Sequence, residues 1–354
     1  MSTSETTATK SSQPLNVALL GSGIFATTVH APILKGNPNV FNCLAVWSRR
    51  IESATELVST TLQQSKPYSD LDEVLKIPNL DAVIMALPLD VQPKYVVKCL
   101  QANKHVLSEK PIAPTVDEAT KLLEMYTKDY SHLKWSVAEN FRYEPAIVRA
   151  SEIIQNRDGK VTIGKPTLVS LTVRAPFLPD NKYINTAWRK EPSWYGGLFI
   201  DAFVHTSAML RSIIGDAKSV SAITSSNADY LPGVDTMSAN VSWDNDLHGS
   251  LSVTYFCKSM KFELEILGSL GRMIFSRKTD GPGYRLQVFN NNGNDVEEDF
   301  GYGGIEGEFL AFAASCNNDE RVDFNTPLEA LKDLAFVEAC LSSGRSGEIR
   351  NVIV

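Results

Sequence analysis

Asp201 and His205 stand four residues apart in the segment Trp194–His205, WYGGLFIDAFVH. On a helix that spacing puts both side chains on one face about one turn apart, where they can point at a single ligand. A histidine with a pKa near neutrality can take a hydroxyl proton or return it, and a neighbouring carboxylate can raise its basicity or hold its tautomer. The pair therefore suits acid/base work. A second signal lies near the start of the chain. Leu15–Ala26 reads LNVALLGSGIFA, an apolar run ending in Gly21-Ser22-Gly23 and followed by Ile24 and Phe25, which can open a helix. Glycines there let the chain turn sharply and bring backbone N–H groups of a helix N-terminus against a pyrophosphate, while Ala26 is small enough for close helix-on-strand packing. A dinucleotide site touching Gly21, Ser22, Gly23, Ile24 and Phe25 is expected.

A second apolar run, Phe41–Trp47, falls where the second strand of a βαβ unit should end, and the ribose-reading position follows it. No carboxylate stands there. The chain reads Ser48-Arg49-Arg50 instead; the hydroxyl can hydrogen-bond a 2′-phosphate and the arginines can supply the charged fork that phosphate recognition favours. NADP(H) is expected rather than NAD, although the same arginines could simply open the next helix, IESATELVSTTLQQ.

Such a site needs a parallel sheet with helical crossovers, and the first 140 or so residues alternate in that way. A helix near Asp70–Ile77, a strand at Asp81–Ala86, a helix at Val91–Gln101, a strand at His105–Ser108, a helix at Val116–Tyr126 and a strand at Trp135–Ala138 are predicted. Thr115 and Glu118 form a capping-box pattern in front of the last of these helices. From Lys165 onward, strand-like runs such as TLVSLTVRA, HGSLSVTYF and FELEILG are joined by short turns, including Asp244-Asn245-Asp246. Two helices, about Ile305–Cys316 and Pro327–Ser342, close the chain. The fold class is α/β: an N-terminal Rossmann domain with a doubly wound parallel sheet (residues 15–142) after a disordered tail (1–14), then a C-terminal α+β domain with a largely antiparallel sheet (143–354), whose last helices could pack back on the first domain.

The chain has 354 residues, 43% hydrophobic, with a net charge of −7, long enough for two cores. Its lysines and arginines are dispersed, which argues against nucleic acid as a partner. No stretch has the length of a membrane span, and the N-terminal residues lack the features of a signal or transit peptide. The five cysteines are odd in number, far apart and without metal-ligand spacing, so no metal site is expected and a reducing, cytoplasmic setting is.

Glu109-Lys110-Pro111 directly follows the strand His105–Ser108, at the carboxyl edge where open α/β sheets bind ligands. With the fingerprint and the Asp201/His205 segment, the chain resembles the Gfo/Idh/MocA oxidoreductases, the glucose-fructose oxidoreductase and inositol dehydrogenase group, from Leu15 to Val354. The resemblance implies that Lys110 lies beside the nicotinamide and the substrate, where an ammonium stabilises developing alkoxide; Pro111 favours extended backbone angles at Lys110. It implies that His205 is the acid/base and that Asp201 contacts substrate. It adds Leu87, Pro88, Glu109, Asn140, Arg142, Trp188 and Arg189 to the residues lining the cofactor cleft, with Phe141 and Tyr143 alongside, although Trp188 suits a packed domain interface better. The family pattern GGGxxxDxGxH has Tyr195 in place of its first glycine and Phe203 in place of its last, and both additions are expected to narrow the substrate site. The implied activity is reversible hydride transfer between NADP(H) and a small carbonyl or polyol compound; a homodimer through the C-terminal sheet is the implied assembly. The alternative is a catalytically idle NADP(H)-binding regulator acting through a protein partner.

Overall fold

The computed structural model describes residues 13–354 apart from 158, 160, 193, 245, 292, 294 and 318–322. The expected tail therefore falls almost wholly outside the described residues, as does the middle of the Asp244–Asp246 turn. The first sheet contains β1 (Leu15–Leu20), β2 (Phe41–Trp47), β3 (Lys66–Tyr68), β4 (Ala82–Met85), β5 (His105–Glu109) and β6 (Trp135–Ala138), all parallel, in the order β3-β2-β1-β4-β5-β6. That order reverses between β1 and β4, which opens a crevice at their carboxyl ends. β4 and β6 are buried on both faces, as strands covered by helices on each side must be.

The covering helices are α1 (Ala31–Gly36), α2 (Ile51–Thr60), α3 (Leu71–Leu75), α4 (Gln92–Gln101) and α5 (Val116–Met125). A wide turn at Ala26–His30 leads into α1, and another at Tyr126–Tyr130 extends α5 past its expected end. The hydroxyl half of the capping box forms, with Thr115 Oγ accepting from Glu118 N at 3.2 Å; the free N–H of Val116 is taken instead by Glu338.

A short 3₁₀ turn, Asn140–Tyr143, and α6 (Pro145–Ile154) lead to the second domain. It is built on nine strands: β7 (Pro166–Arg174), β8 (Ser219–Ser225), β9 (Thr236–Ser242), β10 (His248–Thr254), β11 (Lys261–Gly268), β12 (Gly271–Arg277), β13 (Tyr284–Asn290), β14 (Val296–Phe300) and β15 (Arg350–Asn351). Their order is β14-β13-β12-β11-β7-β10-β9-β8-β15, antiparallel except for β7 beside β10. Strand alternation sorts the faces. Ala222, Ala239, Leu251, Leu171, Leu264 and Phe275 follow one another across the inner face, while Ser221, Asn240, Ser250, Ser170 and Glu265 form the matching row on the other side.

Helices α7 (Ala187–Lys190), α8 (Leu198–Ile213), α9 (Gly304–Cys316) and α10 (Pro327–Ser346) complete the chain. α8 and α10 are buried along most of their length. The last two helices do return to the first domain: Phe309 of α9 packs on Phe41 and His30, and Glu338 of α10 holds the start of α5. The two domains are thereby clamped about the crevice. Among the described residues no helix is long and apolar enough to cross a membrane.

Candidate active site

The fingerprint turn fits a dinucleotide. Gly21 has φ +117°, where a side chain is strained, and a Cβ there would lie 2.4 Å from Ala86 O. Gly23 faces open space, with nothing within 4 Å of a Cβ position, so a diphosphate could lie against its backbone and the N-terminal N–H groups beyond it. Ser22 Oγ donates to Ser48 Oγ at 2.8 Å, which ties the turn to the end of β2. Arg49 and Arg50 follow, exposed and with no side-chain ion pair among the described residues. Leu87 lies against Gly21 across the crevice, and Pro88 O accepts from both Val91 and Gln92 to start α4.

At the end of β5, Glu109 Oε1 lies 2.8 Å from Nε2 of buried His30, and the peptide into Pro111 is cis. Gln92, also buried, donates to the carbonyls of Glu109 at 2.5 Å and Pro111 at 3.2 Å, which fixes the backbone on both sides of Lys110. The lysine crosses to the second domain. Its Nζ donates to Asp201 Oδ1 at 2.8 Å and to Asp201 O at 2.9 Å, in the first turn of α8. Arg189 Nε donates to the other carboxylate oxygen at 2.8 Å, with its guanidinium over the Trp188 ring at 3.9 Å. Burial alone would push the Asp201 carboxyl up, but the Lys110 and Arg189 charges outweigh it and hold the group well below the usual aspartate range.

His205 does not pair with Asp201. Its Nδ1 lies 2.8 Å from Glu139 Oε1, while Phe141 stacks on the imidazole at 5.0 Å. Asp201 is already committed to two cations, and Glu139, at the end of β6, is the carboxylate that orients the ring. Burial raises Glu139, yet His205, Arg142 and Lys110 together hold it below the usual glutamate range. With an anionic Glu139 on Nδ1, the neutral imidazole carries its proton there and leaves Nε2 as an acceptor. Nε2 has no partner among the described residues, and the side chain is 26% exposed.

Several expected positions turn elsewhere. Arg142 is buried in an ion pair with Asp333 at 2.5 Å, where the opposite charge compensates its loss of water. Asn140 Nδ2 donates to Glu144 at 3.3 Å, and Tyr143 OH to Asp323 at 2.8 Å; of this stretch only Phe141 touches the imidazole. Tyr195 and Phe203, expected to narrow the substrate site, are engaged elsewhere. Tyr195 lies under the Arg345 guanidinium at 4.8 Å and is 46% exposed, and Phe203 is fully buried between Phe199 and Phe336. Conversely, Tyr255, just past β10, is packed edge-on against Phe177 and Phe199, and the Asp201 charge reaches its phenol. Nothing in the sequence singles it out, since it ends an ordinary strand run.

The model of the oxidoreductase family NAD-binding Rossmann fold matches residues 15–134, and that of the oxidoreductase family C-terminal alpha/beta domain matches residues 159–352. The chain belongs to the Gfo/Idh/MocA oxidoreductase family. It is 31% identical to the dehydrogenase FPY6 of Fusarium mangiferae over 93% of this chain and 96% of that one. It is 27% identical to the myo-inositol 2-dehydrogenase of Thermotoga maritima over 57% of this chain and 55% of the relative. The crystal structure of an oxidoreductase from Thermotoga maritima superposes with a TM-score of 0.85 at 28% identity, covering 96% of this chain and 99% of that one. As a Gfo/Idh/MocA member the chain is an oxidoreductase that binds a nicotinamide dinucleotide on its Rossmann domain.

Proposed function

We propose that this protein catalyses reversible NADP(H)-dependent oxidation of a small alcohol, polyol or sugar to the carbonyl compound. The observation that carries the reading is that Lys110, from the first domain, is hydrogen-bonded to the same face of α8 that presents His205 one turn later. Ser22, Gly23, Ile24 and Phe25 would hold the diphosphate, and Ser48 with Arg49 and Arg50 the 2′-phosphate. Bound there, the nicotinamide supplies the hydride acceptor or donor.

The side chains divide the remaining work. Lys110 has three N–H donors and spends two on Asp201, so the third is available to a substrate oxygen, whose developing negative charge the ammonium stabilises. His205 takes the hydroxyl proton at Nε2 while Glu139 on Nδ1 stabilises the imidazolium that forms. Asp201 and Arg189 fix the lysine in place.

The activity of the named Thermotoga relative on a polyol supports this substrate class. The five free cysteines support a reducing, cytoplasmic setting. The open face of the nine-stranded sheet, with Leu168 and Ile223 exposed on it, supports packing against a second copy. The test is loss or gain of reduced-nicotinamide absorbance when the protein is mixed with NADPH and aldehydes, ketones and sugars, or with NADP and polyols. Turnover of one compound in proportion to enzyme supports the proposal; tight NADPH binding with no compound converted in either direction overturns it.

A further inference from the structure

Behind His205 and Glu139 lies a sealed set of polar groups that the hydride chemistry does not use. Glu308, on α9, is 3% exposed, and its Oε2 accepts from Asn325 Nδ2 at 3.2 Å. Asn325 O in turn accepts from Val137 N at 2.8 Å, which places the asparagine against β6, two residues before Glu139. On the other side, Phe309, the next residue along α9, packs on His30, the partner of Glu109. Glu308 is thereby buried within reach of the charges of Glu109 and Glu139, the two carboxylates that each hold a histidine.

Four buried polar atoms in this cluster have no hydrogen-bond partner among the described residues: Glu139 Oε2, Asn325 Oδ1, His30 Nδ1 and Gln92 Oε1. Buried polar atoms are almost always satisfied by protein or by enclosed water, so a group of four marks a place where donors are still owed. Three of the four are acceptors, as atom types or through the carboxylate charge, and a protonated carboxyl is a donor. Burial first, and then the Glu109 and Glu139 charges, push the Glu308 carboxyl well above the usual glutamate range, against a smaller opposing pull from Asn325.

We propose that Glu308 is a positioning residue that keeps its proton and donates it, directly or through an enclosed water, to the unpartnered oxygen of Glu139, so that His205 rather than Glu139 is the group that takes up the substrate proton. The argument concerns which member of the Glu139–His205 pair is the stronger base. The His205, Arg142 and Lys110 charges hold the Glu139 carboxyl low, while burial with Oε2 unpartnered works against them and favours transfer of the Nδ1 proton to a neutral acid, which would leave no imidazolium store. Phe141 N already donates to Oε1 at 3.1 Å, and a donor on Oε2 completes the stabilisation of the anion. The groups facing this carboxylate cluster are His205 on α8, Lys110 and Glu109 at β5, Arg142 on the 3₁₀ turn, and Asp323 beside Asn325. The inference rests on the reading of His205 as acid/base only for its catalytic meaning; the protonation pattern itself is measured on the resting protein.

The experiment uses the whole chain without substrate. Infrared spectroscopy of wild type near neutral pH should show the carbonyl stretch of a protonated carboxylic acid, and E308Q should lack it. Nitrogen-15 NMR of the histidines, with His205 assigned by H205N, then gives its tautomer and titration midpoint. E308Q, a permanently neutral donor of the same shape, should keep both, whereas E308L, with no donor, should raise the proton affinity of the pair about tenfold, as loss of one hydrogen bond to a charged group implies. Absence of the carboxylic acid band at neutral pH, or a His205 midpoint displaced in E308Q as far as in E308L, overturns the proposal. Should E308L not fold, the band and the E308Q titration decide it alone. Failure here leaves turnover with NADPH intact, whereas failure of the activity reading leaves this band and these titrations unchanged.

Discussion

Two aspartates near opposite ends of α8 each sit between two cations, yet their environments differ. Asp201, in the first turn, is held by Lys110 and Arg189, whose side chains are 15% and 17% exposed. Asp333, on α10, is held by Arg142 at 2.5 Å and by Arg211, from the last turn of α8, at 2.6 Å, and those side chains are 5% and 6% exposed. The Asp201 carboxyl lies well below the usual range. That of Asp333 lies above it, because burial outweighs both arginines and the nearby Glu139 charge adds to the burial. The same charge count thus serves two ends. The first cluster borders the crevice, keeps a lysine donor to spare and remains ionised; the second is sealed and ties the last turn of the first domain to the helices of the second.

Lys110→Met strikes the first cluster hardest. It should lower turnover by roughly two to four orders of magnitude while NADPH still binds, measured by absorbance and by fluorescence titration; turnover close to wild type would remove Lys110 from the chemistry. Asp333→Ala strikes the second, leaving buried arginines short of a carboxylate, and should cost about 3–5 kcal/mol in denaturant unfolding. Turnover per folded molecule should change little, and a collapse of turnover at unaltered stability would make the two clusters one functional unit.

Cofactor choice should respond more modestly. Ser48→Asp with Arg49→Ala should shift the NADPH-to-NADH preference by about tenfold or more for each charge-assisted hydrogen bond lost, read as the ratio of kcat/KM values; an unaltered ratio would show that another segment reads the 2′-phosphate. The smallest effects distinguish the aspartates by sign. A carboxyl depressed in the folded state stabilises it above the ordinary aspartate range, about pH 4, and that contribution is lost as pH falls below it. One raised in the folded state has the opposite slope, with stability falling as pH rises above that range. The stability of wild type relative to Asp201→Asn should therefore decline toward acid pH, and relative to Asp333→Asn toward neutral pH, in melts at several pH values. Slopes of one sign for both would end the distinction.

Much of this fold is legible in the chain. Phe41–Trp47 and Trp135–Ala138 form strands with the boundaries their apolar runs predict, and Asp201 and His205 do share a helix. Glycines 21 and 23 mark the crevice because the backbone there admits nothing larger or faces open space. The partners were not legible. Asp201 and His205 lie one turn apart, yet each prefers a carboxylate or cation from another element, since an ion pair forms wherever opposite charges are brought together in a desolvated place and not where the spacing is convenient. Arg142 and Phe203 fall within motifs that suggest a cleft, but their side chains enter the core.

Local spacing, glycine placement and strand alternation were enough to determine two domains, the dinucleotide turn and the helix that bears Asp201 and His205, because those depend on interactions a few residues apart along the chain. Which carboxylate meets the imidazole, which cation meets Asp201, and that Glu308 is buried where the Glu139 and Glu109 charges reach it were decided only when β5, β6, α8 and α9 came together. Charge, burial and hydrogen bonding act through space, and residues far apart in sequence acquire their chemistry from the neighbours that packing assigns them.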